Sequence, residues 1–279
     1  MNNKRIFYFA LFVTVIVFLF SSCSEKESEL QIYLCFGQSN MEGTAKIEPV
    51  DTITDDRFVM LSAVDCPNLN RNKGQWYPAS PPMSQCYSGL SPSDYFGKTM
   101  IKNLPEQIKV GVINVAVGGC DIRLFDKDIY EDYDSTYNAD WFHQKVAYYG
   151  GNPYQHLIDL AKEAQNEGTI KGILLHQGET NTGDTLWPQY VKKIYDDMIT
   201  DLSLDVQDVP LLAGEVLAVD SSCCASMNTI INTLPSVIES AHVISSKNCG
   251  AMDFAHFDSE GYRILGTRYA EKMLNLLNK

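Results

Sequence analysis

Residues 30–43, LQIYLCFGQSNMEG, are the stretch that decides the predicted fold. The apolar run Leu30 to Phe36 is typical of a buried strand in a parallel sheet. It ends in the turn Gly37-Gln38-Ser39, and such a tight Gly-x-Ser turn holds its serine hydroxyl at the carboxyl edge of the sheet. Ligands bind at that edge in open α/β sheets. We therefore predict that Ser39 is a nucleophile.

A second group, Asp253-Phe254-Ala255-His256, lies far downstream, just before the last helical pattern. A serine hydroxyl is a poor nucleophile at neutral pH and needs a base beside it. His256 is the candidate base, and Asp253 can accept the other imidazole N–H and so select the tautomer. Taken alone, His256 could also be a helix-capping or loop histidine. Serine, aspartate and histidine in this chain order predict a serine esterase with catalytic residues Ser39, Asp253 and His256.

Apolar runs alternate with helical patterns along the rest of the chain. Strands are predicted at Gln31–Phe36, Phe58–Leu61, Ile108–Val117, Ile170–His176 and Val209–Val216, and helices at Tyr154–Glu167, Leu186–Leu202, Met227–Ser240 and Ser259–Leu277, the last with Asp258 as N-cap. This alternation predicts an α/β fold, a three-layer αβα sandwich on a central parallel sheet of about five strands. The less regular stretches Pro49–Leu104 and Arg123–Tyr149 are predicted to be ordered loops that wall a binding cleft.

The N-terminus has the pattern of an export signal. Lys4 and Arg5 precede the apolar run Ile6–Phe20, which is shorter than the roughly 20 residues of a membrane-spanning helix. Cys23, directly after Ser21-Ser22, resembles the cleavage site of bacterial lipoproteins. An ordinary signal peptide or a single membrane anchor is the alternative.

These observations predict three segments: a lipoprotein-type signal peptide over 1–22, a tether over 23–29 that begins at the lipidated Cys23, and an esterase domain over 30–279. The predicted location is the bacterial cell envelope, in the periplasm or at the outer-membrane surface, with a lipid anchor as the only membrane contact.

Composition limits the partners. The chain has 45% hydrophobic residues and a formal net charge of −13, which falls to about −15 without the basic signal residues. A surface this acidic argues against nucleic acid and anionic polymers as partners. It fits a neutral ligand, and the oligomeric state stays open.

Eight cysteines are present, and seven remain if Cys23 is lipidated. An exported chain permits disulfides. Cys66 with Cys86 could link the loop region they share, and Cys249 could pair with Cys223 or Cys224. The cysteine and histidine spacings do not match a zinc site, so no metal is predicted.

Four blocks together resemble the SGNH hydrolase superfamily, and more closely the group of sialate O-acetylesterases and family six carbohydrate esterases, which contains acetylxylan esterases. The blocks are Gly37–Met41, Asn114–Gly119, His176–Glu179 and Asp253–His256. Each block alone would be a weak signal, but jointly they are specific and cover nearly the whole predicted domain.

The resemblance implies an oxyanion hole formed by the backbone N–H groups of Ser39 and Gly119 and by the side chain of Gln177. Asn40 and Glu179 are expected to brace the nucleophile turn, with substrate contact as the alternative for Glu179. Arg123 could contact a sugar or a carboxylate, although an ion pair that braces its loop is favoured.

The function implied is removal of O-acetyl groups from carbohydrate, such as acetylated xylan or sialic acid, without a cofactor. Two alternatives stay open. One is a lipase-like or thioesterase-like SGNH hydrolase acting on acyl chains, and the other is a surface lipoprotein that binds glycan without turnover.

Overall fold

A central sheet of seven strands positions the site. The computed structural model describes residues 29–136 and 138–278. Its strands are β1 (Glu29–Gly37), β2 (Phe58–Leu61), β3 (Trp76–Pro78), β4 (Ile108–Ala116), β5 (Thr169–His176), β6 (Leu211–Gly214) and β7 (Ala241–Ile244). They lie in the order β3-β2-β4-β1-β5-β6-β7, and every neighbouring pair is parallel except β2 with β3. The predicted α/β architecture is confirmed, but the sheet has seven strands rather than about five.

Helices flank this sheet. They are α1 (Ser39–Glu42), α2 (Pro92–Asn103), α3 (Tyr130–Thr136), α4 (Asp140–Ala147), α5 (Pro153–Ala164), α6 (Trp187–Asp201), α7 (Met227–Ile231) and α8 (Ser259–Leu277). Side chains of α5 and α6 pack in one hydrophobic core, and those of α2 and α8 pack in the other. The central strand β1 contributes to both cores, with Leu34 in the first and Tyr33 in the second. Burial on both faces is why its sequence is continuously apolar.

The two strands that sequence analysis missed lie at the sheet edges and are short. β3 has three residues and ends in Pro78, and β7 has four residues that include His242, so neither forms the continuous apolar run that indicated β2. Both irregular stretches also contain helices. In the first, α2 begins after Ser91, whose capping box with Asp94 is complete and is followed by Pro92 at the first helical position.

The helix predicted over Met227–Ser240 is wrong in length. α7 ends at Ile231, and a 3₁₀ turn follows at Leu234–Ser236. Pro235 has no backbone N–H to continue an α-helical ladder, which accounts for the break.

The last helix is confirmed. α8 spans Ser259–Leu277, and the Asp258 carboxylate accepts the N–H of Gly261 at 2.7 Å, as an N-cap does. Its apolar face is buried from Tyr262 through Met273, while Leu276 is partly buried. This helix places the preceding loop, which carries His256, against the carboxyl end of the sheet.

The cysteine pairings agree with the prediction in one case and not in the other. Cys66 and Cys86 form a disulfide. Cys223 and Cys224 are bonded to each other, so the pairing of Cys249 with either is wrong. The Cys249 sulfur instead lies 3.8 Å from the guanidinium of Arg268 on α8, where it is buried.

The predicted signal peptide and Cys23 lie outside the described residues, and most of the tether does too. Among the residues that are described, none of the helices combines the length and the apolar character needed to cross a membrane.

Candidate active site

Ser39, His256 and Asp253 form a hydrogen-bonded series at the carboxyl end of β1. Ser39 is the first residue of α1, and its Oγ lies 2.9 Å from Nε2 of His256. Nδ1 of the same ring lies 2.8 Å from Oδ2 and 3.0 Å from Oδ1 of Asp253. With Nδ1 carrying the proton, Nε2 has a free lone pair aimed at the serine hydroxyl. This arrangement can take a proton from Ser39 and stabilise the imidazolium that results.

Asp253 is held as a carboxylate by its own loop. Partial burial by itself would raise the pKa of Asp253, but hydrogen bonds from the Ala255 N–H, the His256 ring and the His256 N–H outweigh it and lower the pKa. Both backbone N–H groups bond to Oδ1 at 2.8 Å. The three-residue spacing between aspartate and histidine is thus closed into a turn that presents the acid to the ring.

Asn40 joins the segments that carry these groups. Its Nδ2 donates to Oε1 of Glu179 at 2.5 Å and to the Ala255 carbonyl at 2.9 Å. Its Oδ1 accepts the Tyr262 hydroxyl at 2.6 Å and the Phe257 N–H at 3.4 Å. A single buried amide therefore ties the nucleophile turn to the end of β5 and to the histidine loop, as the predicted bracing requires.

Glu179 makes the predicted bond to the nucleophile turn through Asn40. Its side chain is 6% exposed, it borders the cavity described below, and Oε2 has no hydrogen-bond partner within the described residues. His176 lies alongside, with Nδ1 4.0 Å from Oε1. Burial lowers the pKa of His176, so this imidazole is neutral and donates from Nε2 to the Glu215 carbonyl at 3.1 Å.

The two glycines after β4 have different partners. The Gly118 N–H donates to Oε2 of Glu42 at 2.5 Å, and the Lys145 ammonium lies 2.5 and 2.8 Å from the two oxygens of the same carboxylate. The Gly119 N–H has no acceptor in the described part of the chain, and Gly119 has φ +83°. A Cβ there would lie 2.9 Å from the ring of Trp141. Glu42 and Lys145 were missed by sequence reasoning, although Glu42 belongs to the same short motif as Ser39.

Gln177 does not lie where the resemblance implied. It is fully buried, and its two amide hydrogens point to the Cys120 carbonyl at 3.1 Å and to Oδ1 of Asn181 at 2.6 Å. Its Oε1 accepts the indole N–H of Trp187. With both donors used, Gln177 has none left for an oxyanion, and this prediction is corrected. The side chain turns inward because its donors are taken by the loop after β4 and by Asn181 in its own loop.

Gln38 is an amide that does border the cavity. Its Oε1 accepts the N–H groups of Gly178 and Thr180 at 3.4 and 3.3 Å, while Nε2 donates to no acceptor among the residues described. The sequence could have indicated Gln38 as a residue of the site, because it directly precedes Ser39 in the motif.

Arg123 braces its loop, as favoured from the sequence. It bonds to both oxygens of Asp121 at 2.8 and 2.7 Å, and its guanidinium stacks on Tyr133 and Tyr190 at 4.4 and 4.8 Å. It does not border the cavity that contains Ser39. The geometry therefore favours the bracing role over substrate contact.

The series opens into a cavity of about 670 Å³. Trp141 and Phe254 contribute its aromatic surface and are 47% and 64% exposed. The Cys223–Cys224 disulfide lies on the same wall. We name this space the catalytic cavity. Its size is typical of small-molecule sites, which combine apolar walls with a few convergent polar groups.

One group of carboxylates could in principle hold a cation. Oxygens of Asp126, Asp128 and Asp197 lie within 4.8 Å of one another. The Lys193 ammonium already contacts all three, at 2.9, 2.7 and 2.9 Å. An ammonium group therefore already occupies the position between the three carboxylates, and the cluster borders none of the catalytic cavity.

Comparison with known proteins supports an ester hydrolase. Residues 29–275 match the family model described as carbohydrate esterase, sialic acid-specific acetylesterase. A solved Arabidopsis thaliana protein superposes with TM-score 0.66 at 18% identity, over 88% of this chain and 98% of its own. NanS superposes with TM-score 0.62 at 13% identity, over 90% of this chain and 98% of its own. At these identities the two structures bear on the fold alone.

Proposed function

Because the chain belongs to the family of sialic acid-specific acetylesterases and related carbohydrate esterases, and is therefore a carboxylic ester hydrolase, we propose that it removes O-acetyl groups from carbohydrate with Ser39 as nucleophile, His256 as base and Asp253 as orienting acid. The observation that carries this proposal is the series of two hydrogen bonds, 2.9 Å from Ser39 to His256 and 2.8 Å from His256 to Asp253, at the edge of an open cavity.

The first half of the reaction forms an acyl-enzyme. Ser39 Oγ attacks the acetyl carbonyl carbon while its proton passes to Nε2 of His256. The tetrahedral intermediate then collapses, and the leaving sugar oxygen takes the proton from the same nitrogen. In the second half a water molecule attacks the acetyl-serine, again through His256, and acetate leaves with Ser39 restored.

The oxyanion needs donors that are in place before charge develops. The backbone N–H groups of Ser39 and Gly119 are the proposed donors. Glu42 engages the neighbouring Gly118 N–H, whereas the Gly119 N–H meets no acceptor among the described residues. The Nε2 of Gln38 is a proposed third donor in place of Gln177. Each such donor contributes roughly 10²–10³ in rate.

The substrate class rests on the family and on the walls of the cavity. Trp141 and Phe254 present aromatic surface beside polar side chains such as Thr180. Sugars have apolar C–H faces and polar edges, so a mixed surface of this kind suits them better than a uniformly apolar acyl channel. An N-terminal signal and a lipid anchor at Cys23 would place the enzyme in the cell envelope, where external glycans are available.

Acetate release tests the proposal, with p-nitrophenyl acetate, p-nitrophenyl octanoate, acetylated xylan and O-acetylated sialic acid as substrates. Ser39→Ala should lower turnover on the order of 10⁴–10⁶-fold because the nucleophile is removed. Ser226→Ala, at a serine that makes no capping bond, is the matched control and should leave turnover unchanged. A folded Ser39→Ala variant that retains turnover would refute the mechanism, and preference for octanoate would refute the substrate class.

A further inference from the structure

A second cavity adjoins the catalytic cavity. It has a volume of about 430 Å³ and shares Thr44 and Lys145 with the catalytic cavity, so both spaces border those two residues. Residues 42–47, which continue the nucleophile turn, and residues 87–89 form the rest of its lining. We name it the side cavity. Both volumes fall within the range of roughly 300–1,000 Å³ found for ligand sites.

Backbone contacts hold the two walls of the side cavity in register. The Gly89 N–H donates to the Gly43 carbonyl at 2.7 Å, and the Leu90 N–H donates to the Ala45 carbonyl at 2.9 Å. The approach is so close that a Cβ on Gly43 would lie 2.4 Å from the Gly89 carbonyl oxygen. The Gly43 N–H also bonds to the Ser39 carbonyl at 2.9 Å. Residues 87–89, which form the far wall of the side cavity, are therefore tied through Gly43 to the nucleophile turn.

The far wall carries Tyr87 and is anchored from its other side as well. The preceding residue, Cys86, is joined by a disulfide to Cys66. Gln85 donates to the Lys145 carbonyl at 3.2 Å and accepts from the Ser88 hydroxyl at 2.9 Å. A loop whose backbone is held on both sides of Tyr87 is already ordered, so a ligand that contacts it loses little additional loop entropy.

Tyr87 is 82% exposed, which is the largest exposed fraction of any large hydrophobic residue in the described part of the chain. An exposed aromatic residue is ordinary by itself. This one, however, borders a cavity, lies on an anchored loop and is adjacent to the catalytic cavity. A flat ring in that setting can receive the apolar face of a sugar and remove both surfaces from water.

We propose that the side cavity binds the next sugar of a glycan chain, stacked on Tyr87, while the acetylated sugar occupies the catalytic cavity. This inference rests on the proposed function and specifies its substrate as an O-acetylated oligosaccharide or polysaccharide rather than a single acetylated sugar. Thr44 and Lys145 border both positions, and Ser88 and Lys46 add polar groups for hydroxyls in the side cavity.

The experiment compares single sugars with trisaccharides. Acetate release is measured on acetylated xylose against acetylated xylotriose, and on O-acetylated sialic acid against the same sugar at the end of sialyllactose, with p-nitrophenyl acetate as reference. In at least one pair we expect kcat/KM about tenfold higher for the trisaccharide. Tyr87→Ala should abolish that preference, leaving the reference ester within twofold of wild type, because no sugar contacts are involved in its turnover.

Two control variants keep the result specific. Tyr87→Phe retains the ring and should retain the preference. Tyr148→Ala removes a tyrosine that is 47% exposed but borders neither cavity, and it should change nothing. Equal kcat/KM within both pairs, or an equal loss on single sugars and trisaccharides in Tyr87→Ala, would overturn the inference.

Failure of the inference and failure of the proposed function are distinguishable. Ser39-dependent turnover of p-nitrophenyl acetate without any trisaccharide preference would leave the esterase mechanism standing and refute only the side cavity as a sugar site. Absence of Ser39-dependent turnover on every substrate would refute the proposed function, and the inference with it.

Discussion

Replacement of Gly119 by alanine tests the oxyanion hole most directly. Gly119 has φ +83°, and a Cβ there would lie 2.9 Å from the Trp141 ring. A contact that short must be relieved, either by a shift of the indole or by a shift of the backbone that carries the Gly119 N–H. Gly183 offers a matched control, because its φ is +88° and a Cβ there would meet nothing within 4 Å.

Both variants place an alanine at a positive φ, but only Gly119→Ala should also lose turnover. An alanine in the left-handed region costs about 1 kcal/mol of folding stability at either position. Only Gly119→Ala also displaces a proposed oxyanion donor, and loss of one such donor lowers kcat by roughly 10²–10³-fold, equivalent to about 3–4 kcal/mol of transition-state stabilisation. We therefore expect Gly119→Ala to lose more unfolding free energy than Gly183→Ala, because its contact with Trp141 must also be relieved. Turnover should differ by about two orders of magnitude.

The assay is kcat on p-nitrophenyl acetate, with denaturant unfolding of the same preparations. A Gly119→Ala variant that is folded and within threefold of wild-type kcat would refute the assignment of Gly119 as a donor. If Gly183→Ala lost as much activity as Gly119→Ala, the effect would be one of general strain and the reasoning from the Trp141 contact would be wrong.

The remaining predictions concern two amides and a buried acid. Gln38→Leu should lower kcat on p-nitrophenyl acetate roughly 10²-fold or more, whereas Gln177→Leu should chiefly lower the unfolding temperature by leaving its partners unpaired; the reverse pattern would restore Gln177 as the donor. Burial, partly offset by hydrogen bonds from Ser91, raises the pKa of Asp94 to about 7. The native state then binds more protons than the unfolded state between pH ~4 and ~7, so stability should fall as pH rises through this window. Asp94→Asn should flatten that fall in unfolding free energies measured from pH 4.5 to 8, and an unchanged slope would contradict it.

Sequence alone determined the features that depend on neighbours along the chain. The strand and turn through Ser39 follow from a continuous apolar run that ends in glycine, and α8 follows from an N-cap aspartate and a helical apolar face. The relation of Asp253 to His256 is also local, because three residues suffice for the carboxylate to meet both the ring and the backbone. The blocks were sufficient to predict the family.

Only the tertiary structure decided which donors are free, that Cys223 pairs with Cys224 rather than with Cys249, and where a second cavity lies beside the first. Gly118 and Gly119 are adjacent glycines in sequence, yet Glu42 reaches across from the nucleophile turn to engage one N–H and leave the other open. Gln177 turns inward because Asn181 and Cys120 meet it there. These are contacts between separate chain segments, or orientations set by such contacts. A linear pattern records which residues are present but not which of several polar partners each side chain meets after the sheet has brought its strand ends together.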